Sequence, residues 1–74
     1  MLMSEKSIFS IIQWLVDNKK YDRAINKVNK LIPHTTQIRK CINLKATCYI
    51  KTGHFRDAND LYKDYYPYSM IDEE

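Results

Sequence analysis

The chain has 74 residues, the length of one small domain with a stability margin of about 3–5 kcal/mol. Hydrophobic residues make up 45% and charged residues 28%, a balance that excludes a disordered chain. No apolar run reaches the roughly 18 residues of a transmembrane helix, and charged residues follow Met1 too soon for a signal peptide. We therefore expect no membrane partner and a cytoplasmic or nuclear location.

The net charge of +3 is spread unevenly along the chain. Residues 1–40 hold eight Lys/Arg and three Asp/Glu, whereas residues 41–74 hold four and six. This asymmetry suits a first half that attracts an acidic partner, or two copies that meet head to tail.

The first half of the chain predicts two amphipathic helices. Ser4 can cap the first helix, which has a broad apolar face and ends near Asp17. In the second, apolar side chains recur at spacings of three and four from Tyr21 to Ile32. Pro33 is expected to stop this helix, because it lacks the backbone N–H that a helix needs.

The second half predicts two more helices, and no segment shows the alternating polarity of a strand. Thr35 or Thr36 can cap the third helix, and Gly53 can adopt the left-handed conformation that ends it. The fourth helix begins at Phe55 and ends before Pro67. Residues 68–74 are expected to form an acidic C-terminal tail.

A 34-residue repeat relates the two halves. Residues 19–24 read Lys-Lys-Tyr-Asp-Arg-Ala and residues 53–58 read Gly-His-Phe-Arg-Asp-Ala. An Ala in each copy lets two helices approach closely, and the aromatic residue three positions earlier is expected to fill the space near the turn. Further apolar pairs at the same offset are Ile8 with Ile42, Leu15 with Tyr49, Val28 with Tyr62, and Leu31 with Tyr65.

With this period and these positions, the sequence resembles the tetratricopeptide repeat (TPR) family. The resemblance implies an all-α fold of two TPR-like helix-turn-helix repeats, with four antiparallel helices in a short right-handed superhelix. The repeats would span residues 5–36 and 39–67 of a domain at 1–67. In two departures from the family pattern, Lys19 replaces the usual turn Gly and Lys45 replaces a core Leu, so that the Lys45 stem is buried and its ammonium reaches solvent.

A narrower resemblance rests on residues 46–49, Ala-Thr-Cys-Tyr, followed by Gly53, Ala58, Leu61 and Lys63. In these positions the chain is similar to the amino-terminal repeats of scaffold subunits of the anaphase-promoting complex. Those subunits dimerise through such repeats. The resemblance implies a scaffold role in the cell cycle.

Residues that could carry chemistry are few and scattered. His34 and His54 fall in predicted turns, and the single Gly cannot build a phosphate-binding loop. Asp57, Asp60 and Asp64 share one face of the fourth helix and could hold a cation, although a solvated face is the simpler interpretation. The sequence therefore predicts no enzyme, no cofactor and no metal site.

The two cysteines are predicted to be small buried thiols. Cys41 and Cys48 lie two turns apart on one helix, a rise of about 10.5 Å. That separation is too long for a disulfide.

The TPR resemblance implies a concave groove lined by the first helix of each repeat. Phe9 and Gln13 stand where chaperone-binding members have Lys and Asn, so a carboxylate clamp is not expected. Phe9, Val16 and Ile50 suit an amphipathic helix or an apolar peptide, or else they pack against a neighbouring copy. The expected groove residues are Lys6, Phe9, Gln13, Val16, Lys40, Asn43, Thr47, Ile50 and Lys51.

A basic stripe on the second helix consists of Lys20, Arg23, Lys27 and Lys30. It could contact phosphates or an acidic protein, although such a stripe is commonly just the solvated face of a helix. Most aromatic residues fall at core positions, which disfavours nucleic acid as the partner.

Two repeats leave both ends of the stack uncovered, since about three repeats are normally needed for stability. The leading prediction is therefore a non-catalytic protein–protein interaction or assembly module, part of a larger complex or self-associating, whether complete or a piece of a longer array. The alternative is a small basic helical nucleic-acid-binding domain. The expected exposed apolar residues are Trp14, Tyr66, Tyr68, Met70 and Ile71.

Overall fold

The computed structural model describes residues 4–65, which form four α-helices and contain no strand. Successive helices pack on one another along the chain, and the first helix also meets the third. Two helical hairpins result, which confirms the predicted all-α fold of two TPR-like repeats. In chain order the elements are α1 Glu5–Asp17, α2 Tyr21–Leu31, a 3-10 turn Ile32–His34, α3 Ile38–Lys51 and α4 Phe55–Tyr65.

Some predictions concern residues beyond this range. Three predictions fall outside the described residues: the limit of the repeat domain at residue 67, the acidic tail at 68–74, and the exposure of four expected apolar residues. Those four are Tyr66, Tyr68, Met70 and Ile71.

The beginning of α1 follows the sequence prediction. The Ser4 hydroxyl oxygen accepts the backbone N–H of Ser7 at 3.2 Å, so one of the free donors at the helix start is satisfied. Glu5 places a carboxylate in the first turn, where the helix dipole favours negative charge.

The ends of α1 and α3 have the same backbone geometry at an offset of 34 residues. Lys19 has a φ of 62° and Gly53 a φ of 81°, so both adopt the left-handed conformation that closes a helix. This confirms the prediction for Gly53 and adds Lys19 as its counterpart. The closing backbone bonds are Lys20 N–H to Leu15 O at 2.8 Å and His54 N–H to Tyr49 O at 2.7 Å.

The junction between the repeats differs in part from the prediction. The helix α2 ends ahead of Pro33, as expected, but no threonine caps α3, which begins after Gln37 without a side-chain cap. The Thr35 hydroxyl oxygen instead accepts the N–H of Gln37 at 2.9 Å and donates to the Glu5 carboxylate. Thr35 therefore ties this junction to the start of α1.

The hydrophobic core has two parts. Ala24 and Ala58 are buried where the helices of each hairpin touch, as predicted. The larger cluster joins α1, α2 and α3 and consists of Phe9, Ile12, Leu15, Val16, Ala24, Val28, Leu31, Cys41 and Cys48. The smaller cluster joins α3 to α4 and consists of Ile42, Ala46, Ala58 and Leu61.

The cysteines belong to the contact between the repeats. Cys41 and Cys48 are buried free thiols, which confirms the prediction. Burial raises the pKa of both thiols, because a thiolate would be poorly solvated there. They therefore act as small neutral packing groups.

Candidate protein-interaction surfaces

Four large hydrophobic side chains are exposed among the described residues. They are Trp14 (55% exposed), Ile50 (48%), Phe55 (64%) and Tyr65 (43%). The 34-residue offset assigns each of them a counterpart in the other repeat. Comparing each exposed side chain with its counterpart shows which surface it would cover in a longer stack.

Three of these side chains, Ile50, Phe55 and Tyr65, form what we call the C-terminal face. Their counterparts in the first repeat are covered, because those side chains belong to or pack against the cluster that includes Cys41 and Cys48 of α3. The expectation that the aromatic residue fills the space near its turn is wrong for Phe55, which no other residue of 4–65 covers. The pairs are Val16 with Ile50, Tyr21 with Phe55, and Leu31 with Tyr65.

The fourth side chain, Trp14, defines what we call the N-terminal face. Its counterpart Cys48 is fully buried against the first repeat. Ser7 and Ser10 are exposed on the same side of α1, at the positions where α3 has Cys41 and Leu44. Each end of the described repeats therefore exposes a surface whose counterpart is buried at the contact between the two repeats.

A groove that carries Lys and amide side chains lies between α1 and α3. Two adjoining depressions of about 300 and 580 Å³ share Gln13, Lys40 and Leu44. The Lys40 ammonium nitrogen lies 4.6 Å from the centroid of the Phe9 ring, a cation–π contact. Six of the nine expected groove residues come together here: Lys6, Phe9, Gln13, Lys40, Asn43 and Thr47.

The other three expected groove residues lie elsewhere. Val16 is buried in the core, whereas Ile50 and Lys51 are exposed but do not line either depression. Phe9 is only 4% exposed, so it offers little apolar surface to a ligand. The groove between α1 and α3 thus combines apolar surface with Lys and amide side chains, and its role in binding stays a prediction.

The basic stripe is exposed along α2, with Lys20 just before the helix and the other three residues on it. Lys27 and Lys30 also line a groove of about 320 Å³ between α1 and α2, which we call the outer groove. The remaining lining residues are Ile8, Ile11, Leu31 and His34. Sequence patterns did not reveal this groove, although the offset of 34 pairs Lys27 with Leu61 and so marks the position of Lys27 as unusual.

The candidate chemical groups do not converge within residues 4–65. No group of three or more His, Cys, Asp or Glu side chains there could hold a metal ion. Asp57, Asp60 and Asp64 are exposed on α4. His54 is engaged locally, with its Nδ1 at 2.7 Å from the Thr52 hydroxyl and its ring edge-on to Tyr49.

The helices of residues 4–65 all lack the length and apolar character that crossing a bilayer requires.

Comparison with known proteins agrees with the repeat geometry. No curated protein and no solved structure matches the chain. The model of one protein family, described as anaphase-promoting complex, cyclosome, subunit 3, matches residues 1–65. This match covers both hairpins, both left-handed turns and the whole described core. The chain therefore belongs to the family of anaphase-promoting complex subunit 3, whose TPR-like repeats form protein–protein interaction scaffolds of the cell cycle.

Proposed function

We propose that this chain is a non-catalytic assembly module that joins a larger cell-cycle complex through the two ends of its repeat stack. One observation carries the proposal: each of the four exposed large hydrophobic side chains has a counterpart that a neighbouring repeat covers. Repeat proteins of this type build surfaces by stacking and are generally not enzymes. Residues 1–67 would act as the repeat domain, in the cytoplasm or the nucleus.

The energies support docking of a partner that covers the whole C-terminal face. Full burial of a large apolar side chain contributes about 1.5–3 kcal/mol, so three roughly half-exposed ones contribute about 2–4.5 kcal/mol in total. Association costs at least about 4 kcal/mol in lost translational and rotational freedom. A single helix contacting only Ile50, Phe55 and Tyr65 would therefore bind weakly, whereas a whole repeat, which buries more apolar surface, would bind more tightly.

The occupant of these faces is a helical repeat, in another protein or in a second copy of the chain. The uneven charge supports a head-to-tail arrangement of copies, because residues 1–40 are basic and residues 41–74 acidic. In either arrangement the groove between α1 and α3 stays open, so that Lys6, Gln13, Lys40, Asn43 and Thr47 can bind a polar or acidic peptide.

Site-specific photo-crosslinking in the cells that produce the chain tests this proposal. The photoreactive aromatic residue p-benzoylphenylalanine replaces Trp14, Phe55 or Tyr65, all of which are exposed, so the fold should be kept. We expect defined protein crosslinks from these three positions. The control places the same residue at Asp60, which is exposed on α4. Equal crosslinking at Asp60, or none at the three aromatic positions, would contradict the assembly role.

The single Trp gives a second readout, for association between copies. If copies stack head to tail, the fluorescence maximum of Trp14 should shift to shorter wavelength between nanomolar and high micromolar protein, and Phe55→Ser with Tyr65→Ser should abolish the shift. A concentration-independent maximum, with a monomer in light scattering, would assign the faces to a different protein.

A further inference from the structure

The outer groove between α1 and α2 has aliphatic side chains at its base and basic side chains along its edge. Leu31 is 8% exposed and Ile8 and Ile11 are partly buried, whereas Lys27, Lys30 and His34 are exposed. No carboxylate is among the described residues that line it, and none of them is a Phe, Tyr or Trp. The groove therefore presents an apolar depression beside positive charge that no carboxylate of its described lining balances.

The second repeat shows how such a groove is filled. There, Ile42 and Leu61 are buried in a cluster with Ala46 and Ala58, and Ile32 from the end of α2 packs against that cluster. An aliphatic side chain from outside the hairpin thus packs against the cluster that contains the counterpart of Ile8. In the first repeat no other part of the described chain does so, and the groove stays open.

The same comparison shows what is particular to the first repeat. Lys27 stands where the second repeat has Leu61, and Lys30 where it has Asp64. If this surface served only to continue the repeat stack, we would expect an apolar side chain at the position of Lys27, as Leu61 is in the second repeat. Two lysines, three residues apart on one helical face, instead match carboxylates spaced by three or four residues on a partner helix.

We propose that the outer groove binds an acidic amphipathic helix of a partner protein. A Leu or Ile of that helix enters between Ile8, Ile11 and Leu31, and Glu or Asp side chains about one turn away pair with Lys27 and Lys30. Nucleic acid fits this surface less well, because bases bind by stacking on aromatic rings and the described lining holds only one ring, the His34 imidazole. Trp14, Ile50, Phe55 and Tyr65 do not line the groove, so this proposal and the assembly role can fail independently.

A designed peptide tests the proposal without knowledge of the natural partner. The probe is an 18-residue helical peptide with Leu at alternating spacings of three and four, Glu on both flanks of the Leu face and a fluorescent label. Its matched control has Gln in place of every Glu. We expect the Glu peptide to bind the full chain, measured by fluorescence anisotropy, and the Gln peptide to bind about tenfold more weakly or worse.

Variants of the chain locate the site. Lys27→Glu with Lys30→Glu should weaken binding of the Glu peptide by about tenfold or more. Lys20→Glu with Arg23→Glu makes the same charge change on the same stripe outside the groove and should cause a much smaller loss. Ile11→Ser should also weaken binding while the thermal melt stays cooperative, because Ile11 is only partly buried.

Three results would overturn the proposal. One is an equal loss of peptide affinity in the two double charge variants, which would reduce the effect to net charge. Another is unchanged binding in Ile11→Ser, which would remove the apolar contact. The third is tighter binding of a single-stranded 12-nucleotide DNA than of the peptide, steeply weakened by salt and lost equally in both double variants, which would favour nucleic acid.

Discussion

Lys19 occupies a backbone conformation that favours Gly. Its φ is 62°, and the equivalent residue of the second repeat is Gly53 with a φ of 81°. For a residue with a Cβ atom, the left-handed conformation costs roughly 1–2 kcal/mol. The Lys19 side chain is exposed, so it gains no packing in return. The first repeat therefore tolerates strain at its turn because the flanking helices fix the geometry.

Lys19→Gly should raise the free energy of unfolding by about 1 kcal/mol, because it removes the left-handed penalty. Gly53→Lys should lower it by a similar amount, since no heavy atom lies within 4 Å of a Cβ built at Gly53 and only the backbone term changes. Urea denaturation with equal m-values measures both.

Lys20→Gly is the control for this pair of substitutions. Lys20 has a φ of −95°, which does not favour Gly, so the added chain entropy should lower stability or leave it unchanged. If Lys19→Gly were no more stable than Lys20→Gly, the equivalence of the two turns would be wrong.

At the scale of the helices, local sequence signals predicted the elements. They failed where contacts between residues far apart in the sequence determine the structure. The cap at Ser4, the stop at Pro33 and the turn at Gly53 depend on neighbouring backbone groups, which the sequence displays directly. The Thr35 hydroxyl was expected to cap α3, but it binds Glu5, 30 residues away. A contact at that separation depends on how the hairpins pack, which periodicity does not encode.

The candidate binding surfaces likewise include features that the repeat pattern predicted and features that depend on packing between helices. Six of the residues assigned by repeat position lie together between α1 and α3, but the repeat pattern did not reveal that α3 covers Phe9 and leaves it only 4% exposed. Val16 fell on the predicted face of α1 and is nevertheless buried, because the second repeat packs there. The outer groove was missed because it needs Ile8 and Ile11 from one helix and Lys27 and Lys30 from another.

Ala58→Glu should detach α4 from α3. Ala58 is 4% exposed within the smaller cluster, so a buried carboxylate there would cost several kcal/mol, comparable to the stability of a domain of this size. Circular dichroism should show a loss of helix and of the cooperative melt. Asn59→Glu adds the same charge at an exposed position of α4 and should change stability by less than about 0.5 kcal/mol. A folded Ala58→Glu chain with an unchanged melt would refute the repeat register.

The whole molecule has an uneven distribution of core. Among residues 4–65, nine buried residues join α1, α2 and α3, whereas four join α4 to α3, so α4 is held by the smaller described core. Helix α4 packs mainly on α3, and the exposed Ile50, Phe55 and Tyr65 lie at this end. In repeat proteins stability is the sum of repeat and interface contributions, so we expect α4 to open first.

Native-state hydrogen exchange should therefore separate the two halves of the molecule. The amide of Leu61 on α4 should exchange through an opening of lower free energy than the amide of Val28 on α2, because Leu61 belongs to the smaller cluster. Phe55→Ser should leave this difference nearly unchanged, since Phe55 is 64% exposed in the isolated chain. A partner on the C-terminal face should slow exchange at Leu61 more than at Val28, because it supplies the contacts that α4 lacks.

Identical opening energies at both amides in the free chain would mean that α4 unfolds only with the whole domain. The C-terminal end would then not need a neighbour to be stable.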